Sequence, residues 1–373
     1  MPKVESINDD RFKELTTPPT DEPERAATLF PKISGKHRDF IENIVYARKH
    51  SPDWPKNAFS IPLIGTVKLH GTHNDIVIHA DNTIQLQSRN VAVLSLENDP
   101  YNFTKTTLPL QPEILKLKER IYARFRERNP GIEIEERHPL IIAGEWVGPG
   151  VQKACALNQL EEKILVIISI SVNGKWQPDE EYADVSNPDI GIYHVSRGGW
   201  YRCSIPNGTK EEMAAVLATL QPLADEVERE CSFAKTFGKI GRGEGIVFKL
   251  TLGTLGQDAR FWLKIKGPLA MGGGLKVRSV KTEPGMEQVG VAKAFAESVV
   301  REPRLEQGLE YLREMGVERN RKGVGVFLKW LNGDIEIEEK GEIEQLGIDK
   351  GLLNKQVVHI GKLWYFQRID GVV

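Results

Sequence analysis

Ile64-Gly65-Thr66-Val67-Lys68-Leu69-His70-Gly71-Thr72-His73-Asn74 is an apolar, strand-like run that breaks at a glycine just after a lysine. The reading of this stretch decides the rest. It predicts a strand over 61–68 with Lys68 at its end, beside a tight polar turn. A lysine so placed is suited to attack a phosphate: Nζ displaces pyrophosphate from the α-phosphorus of a nucleoside triphosphate and keeps the nucleotide as a phosphoramidate. K-x-H-G-T is short enough to recur by chance, and most lysines at strand ends are merely solvated. The motif therefore needs partners elsewhere in the chain.

Three later stretches supply them in order. Ile141-Ile142-Ala143-Gly144-Glu145-Trp146-Val147-Gly148 is an apolar strand ending in a carboxylate. Glu244-Gly245-Ile246-Val247-Phe248-Lys249 is another, opened by a carboxylate after the loop 239–243. Arg260-Phe261-Trp262-Leu263-Lys264-Ile265-Lys266 sets two lysines at alternate positions, so a strand points both to one face. Lysine is protonated at neutral pH, and nearby Lys264 and Lys266 would lower its pKa by like-charge repulsion while neutralising a developing phosphorane. Glu145 and Glu244 have the oxygen chemistry that Mg²⁺ requires.

With K-x-H-G-T, S-R-N (Ser88-Arg89-Asn90), G-E-W-V-G, E-G-I-V-F-K and K-I-K in this order, residues 60 to 268 resemble the ATP-dependent RNA ligases of the covalent nucleotidyltransferase superfamily. The likeness is to the branch of phage double-strand and RNA-editing ligases. It implies an α+β chain: a nucleotidyltransferase (ATP-grasp-like ligase) domain built on antiparallel sheets, then a small, mainly helical C-terminal domain. It further implies Lys68 as the nucleophile and Lys68, Leu69, His70, Gly71, Arg89, Glu145, Glu244, Lys264 and Lys266 as the nucleotide-binding set. Glu145 and Glu244 are the metal candidates, for Mg²⁺ or else Mn²⁺. Lys264 and Lys266 fall to the α-phosphate, and Arg89 to a nucleotide or RNA phosphate. His70 stands where DNA ligases and capping enzymes carry aspartate. The implied partner is RNA with 5′-phosphate and 3′-OH ends, with no membrane and no obligate protein partner. GTP-dependent RNA capping by the same lysine chemistry, and a catalytically silent RNA-end binding module, remain open at this point.

Two departures from the family pattern stand out. His73 separates Thr72 from Asn74, where the family has asparagine directly after G-T. The strand over 163–172, with Ile164-Leu165-Val166-Ile167-Ile168-Ser169-Ile170, is aliphatic but for its serines and Lys163 and has no aromatic, where the family carries an aromatic that stacks on adenine. The base would then lie between aliphatic side chains, or against an aromatic from elsewhere.

The 373 residues exceed a usual single domain, which predicts an N-terminal arm (1–58), an adenylyltransferase domain (59–268) and a helical domain (275–373), with the linker at Met271-Gly272-Gly273-Gly274. Roughly the first 20 residues are expected to be mobile. A net charge of −2 means that any affinity for phosphate backbones must be local. Lys116, Arg120, Arg124 and Arg128 recur every four residues on a helix predicted over 112–128, a basic stripe that could track such a backbone. Tyr193 to Arg202 interleaves aromatic and basic residues, a pattern able to cradle nucleic acid. A single helix is expected over 211–231. No apolar run nears the roughly 20 residues of a membrane span. Three widely spaced cysteines and the polar, acidic N-terminus predict a reducing intracellular location, cytoplasm or nucleus.

Overall fold

The computed structural model describes residues 28–55, 57–151, 155–268 and 286–369. The chain divides into two compact units, Met1–Lys266 and Gly267–Val373. The expected linker and the first 20 or so residues, expected to be mobile, lie outside the described residues.

The first unit opens with α1 (His37–His50), whose Asp39 in the first turn and Arg48, Lys49 and His50 in the last complement the helix dipole. Strands β1 (Ser60–Lys68), β2 (Thr72–Ile78) and β3 (Ile84–Ser88) follow, then α2 (Gln111–Arg128). Next come β4 (Leu140–Val147), β5 (Ile164–Val172), β6 (Lys175–Trp176), β7 (Ile192–His194) and β8 (Tyr201–Pro206). Helices α3 (Lys210–Ala218) and α4 (Gln221–Arg229) lead to β9 (Gly245–Leu250) and β10 (Trp262–Lys266). The strands build two sheets, one in the order β10-β9-β1-β8 and antiparallel throughout. The other runs β3-β2-β4-β5-β6 and is antiparallel apart from β7, which lies parallel to β5.

Period-two alternation gives each sheet a helix-covered face and leaves the other face to the groove. In the first sheet Ile61, Leu63, Val67, Ile246, Phe248, Leu263 and Ile265 pack with Phe40 and Ile44 of α1 and with Met213, Leu217, Ala224 and Val227 of α3 and α4. In the second, Ile76, Ile78, Leu86, Ile142 and Leu165 pack with Ile114, Leu117, Ile121 and Phe125 of α2. Each such side chain contributes about 1.5–3 kcal/mol on full burial.

The single helix expected over 211–231 is two. Thr209 and Glu212 form a capping box on α3, whereas Pro222 has no N–H to donate back to residue 218, so the helix restarts in its first turn. The basic stripe is also corrected. Arg120 donates to the carbonyls of Ser186 and Asp184, Arg124 to Glu181 O and the Asp184 carboxylate, and Lys116 pairs with Glu113. These arginines fasten the loop over 179–186. The aromatic and basic segment is likewise engaged within the fold: Arg197 lies 4.5 Å from the Phe237 ring and 5.4 Å from Tyr193, and Arg202 meets Glu180 at 2.5 Å.

Every element among the described residues of the second unit is helical: α5 (Met286–Val299), α6 (Glu302–Glu314), α7 (Val324–Glu338), a short helix at Lys340–Gln345 and α8 (Lys350–Ile369). The acidic residues Asp334, Glu336 and Glu338 lie within α7, and Glu339, Glu342 and Glu344 follow it. Phe327, Leu331 and Ile335 keep its inner face buried, while Asp334 and Glu339 pair with Arg304 at 3.0 and 2.6 Å. Among the described residues no helix is long and apolar enough to cross a membrane.

Candidate active site

Register builds the site. Lys68 at the end of β1 faces Gly245 across one gap, and Gly245 faces Lys266 across the next. Thr66, Val247 and Lys264 form the row behind; Ile64, Lys249 and Trp262 form the third. All three rows share the groove face, because their neighbours Val67, Ile246, Phe248, Leu263 and Ile265 belong to the core on the other side.

Glu244, immediately before β9, is buried and joins the first row: Lys68 Nζ donates to Oε2 at 2.6 Å and Lys266 Nζ lies 3.2 Å from Oε1. Burial alone would raise this carboxyl, but Lys68 and Lys266, with His70 adding, outweigh it and hold it well below the usual carboxylate range. Lys68 and Lys266 therefore share one ionised carboxylate, each on its own oxygen.

Glu145 comes from the other sheet, on β4 opposite His73. Its Oε1 accepts the backbone N–H of Gly71 at 3.0 Å. Residue 71 must be glycine for this approach, since a Cβ there would fall 2.4 Å from Trp146 O and 2.6 Å from Val147 Cγ1. The Glu145 carboxyl is pushed up to about 7, chiefly by burial and further by the like charge of Glu244, against Lys68, Arg89 and the Gly71 N–H. His70 is held below its ordinary range by burial, then by Lys68, Lys266 and Arg242, against the pull of Glu244.

The remaining expected residues are placed less uniformly. Lys264 lies on the groove face, its N–H bonded to Ser34 O at 2.9 Å and its stem beside Gly35. Arg89 donates to Phe30 O at 3.3 Å and acts electrostatically on Glu145. Leu69 turns its side chain into the apolar core, so only its backbone borders the turn. Asn74 is fully buried and donates to Gln87 O on β3, so it serves the sheet.

Sequence reasoning missed two groups. Lys249, last residue of E-G-I-V-F-K, is buried with its Nζ 2.7 Å from Asp179, 3.2 Å from Ser169 Oγ and 4.0 Å from the centroid of a Trp262 ring. Its place two residues after Val247 was the available signal. Phe30 forms a cluster with Ala143 and Trp262, against which Ile168 of the aliphatic strand and Trp176 pack. No pattern in the sequence of the arm announced it.

Residues 61–266 match the model of the family described as RNA ligase. No curated protein matches. Solved structures similar to this chain include a Naegleria gruberi RNA ligase variant with AMP and Mn, 15% identical over 65% of this chain and 57% of that one, TM-score 0.38. The Naegleria gruberi RNA ligase with PPi is 16% identical over 67% of this chain and 61% of that one, TM-score 0.38. An archaeal ATP-dependent RNA ligase is 14% identical over 92% of this chain and 66% of that one, TM-score 0.38. This chain thus spans less than two thirds of the length of each. The matched family segment runs from β1 through β10, takes in more than half of the chain and contains Lys68, Glu145, Glu244, Lys264 and Lys266: the chain belongs to the RNA ligase family.

Proposed function

We propose that the chain is an ATP-dependent RNA ligase that joins 3′-OH and 5′-phosphate ends. The observation that carries the reading is the first row of the groove, where Lys68 and Lys266 flank one ionised carboxylate within the family segment. Lys68, once deprotonated, attacks the α-phosphorus of ATP; the N–P bond forms and the bond to pyrophosphate breaks. AMP then passes to an RNA 5′-phosphate with release of the lysine. A 3′-hydroxyl finally attacks that phosphate and AMP leaves. Lys264 and Lys266 offset the charge that builds on the α-phosphate, as preorganised cations do.

Glu244 raises the Glu145 pKa by like charge, an arrangement that a cation relieves, so the pair fits a divalent ion. Glu145 and Glu244 would hold Mg²⁺ or Mn²⁺, which when bound supplies charge neutralisation at the phosphates. We assign the arm to residues 1–58, the catalytic domain to 59–268 and a helical domain to 275–373, and we place the protein inside the cell, in cytoplasm or nucleus.

The test is incubation with α-labelled ATP or GTP and Mg²⁺, then denaturing electrophoresis, for the native chain and Lys68→Ala. ATP label that survives denaturation and vanishes in the variant is the expected result. Label from GTP would instead make the chain a capping guanylyltransferase. No label from either would leave a silent RNA-end binding module.

A further inference from the structure

Thr28 to Gly35 crosses from the second sheet to the first. At one end Thr28 Oγ1 donates to Asp75 Oδ2 and lies 3.1 Å from His73 Nε2, which is 2.8 Å from Asp75 Oδ1. All three residues are buried. The threonine hydroxyl thus satisfies one oxygen of a carboxylate shielded from water, and His73 lies against the other. Phe30 stacks on His73 with ring centroids 5.0 Å apart and meets Trp176 and Trp262 at 5.2 and 5.7 Å. Its carbonyl accepts from Arg89.

At the other end Ser34 pairs with Leu263, and its carbonyl takes the N–H of Lys264. β10 is an edge strand of its sheet, so this bridge gives a partner to one of its open backbone donors. A Cβ at Gly35 would lie 3.6 Å from Lys264 Cε, which shows that the lysine stem runs along the segment. One short strap therefore touches a candidate phosphate-binding cation on each wall of the groove, Arg89 and Lys264.

We propose that Thr28 and Phe30 are positioning residues: docked on the buried His73 and Asp75 pair, they hold the strap that sets Arg89 and Lys264 for phosphate transfer. This rests on the ligase reading above. Neither residue touches the reacting groups. Arginine and lysine side chains carry large rotamer freedom, and a fixed carbonyl on one and a fixed backbone beneath the other reduce what must be ordered when phosphate binds.

The test compares the full chain with Thr28→Val, Thr28→Ser and Phe30→Ala in single-turnover lysine adenylation across a range of ATP concentrations, with tryptophan emission recorded alongside. Thr28→Val keeps the shape and removes the hydroxyl; Thr28→Ser keeps the hydroxyl. The expected result is a maximal rate lowered about ten- to a hundredfold in Thr28→Val and Phe30→Ala, with the half-saturating ATP concentration changed far less. Thr28→Ser is expected to restore most of the rate. Emission from the Trp176 and Trp262 cluster should shift to the red in the two impaired variants and stay native in Thr28→Ser. Native rates in all three variants would overturn the proposal, as would Thr28→Ser failing like Thr28→Val. A native chain that takes no ATP label overturns the ligase reading and the strap's role with it, a result distinct from native-like variants.

Discussion

Gly245→Ala is the substitution for which the geometry makes the sharpest demand. Gly245 has φ 152°, a conformation side chains rarely adopt, and an added Cβ would lie 2.1 Å from Ile265 O and 2.8 Å from Lys266 Cα. Cβ atoms essentially never approach heavy atoms more closely than 3.0 Å, and both atoms met here are backbone. β9 and β10 must therefore part by about 1 Å in the row that carries Lys68 and Lys266, a misplacement able to cost about a hundredfold in rate. Lys266 Nζ, now 3.2 Å from Glu244, would lose that contact. Overpacking with an unfavourable φ costs about 1–3 kcal/mol, a fall of about 5 °C in Tm for a unit of this size. The assay is the rate of adenylation of Lys68 at saturating ATP, followed by intact mass, with a thermal melt on the same sample. Gly131→Ala is the control, since Gly131 has φ 84° but nothing within 4 Å of its Cβ position. It should lower Tm slightly and leave the rate alone. Gly245→Ala adenylated within twofold of the native rate, with a native melt, would refute the claim that close approach of β9 to β10 sets the site.

Lys249→Met should cost about 3–5 kcal/mol in urea denaturation, because it leaves the buried Asp179 carboxylate without its cation; Lys249→Met with Asp179→Leu should recover most of that. The buried His194 is held at about 4, chiefly by burial with Lys249 adding, against Asp179 and Asp184. Its folded pKa thus lies below the unfolded value of 6.5, so its neutral form contributes stability above pH 6.5 that is lost as pH falls towards 4. Chemical denaturation should show about 2 kcal/mol lost through this group between pH 7.5 and 5, and His194→Gln should flatten that slope. Arg120→Ala with Arg124→Ala should lower Tm by releasing the loop over 179–186 while leaving the salt dependence of RNA affinity unchanged; a slope reduced by about 1 per arginine would restore the stripe as a phosphate track.

What the sequence made legible is what local periodicity encodes. Lys68, Lys264 and Lys266 share a face because strand alternation is fixed by the backbone, and Glu244 follows from its position at the mouth of β9. The strands expected over 61–68 and 163–172 and the helix beginning near 112 were readable for the same reason. The stripe of α2 shows that periodicity identifies a face without saying what lies on it: Arg120 and Arg124 meet carbonyls 64 and 57 residues further along the chain.

The supports of the site escaped notice for a related reason. Thr28 meets His73 across 45 residues, Lys249 meets Asp179 across 70, and Asn43 reaches Arg260 O across 217. Each pair unites residue types that are ordinary in their own neighbourhoods, so no spacing rule distinguishes them before the sheets come together. The strap illustrates the consequence. Read alone, this part of the chain is an extended arm packed against the domain that follows; folded, its Phe30 clusters with Ala143 and Trp262, and Ile168 of β5 packs against them. Phe30 therefore lies in the interior of the first unit, an aromatic ring that the motif order does not contain.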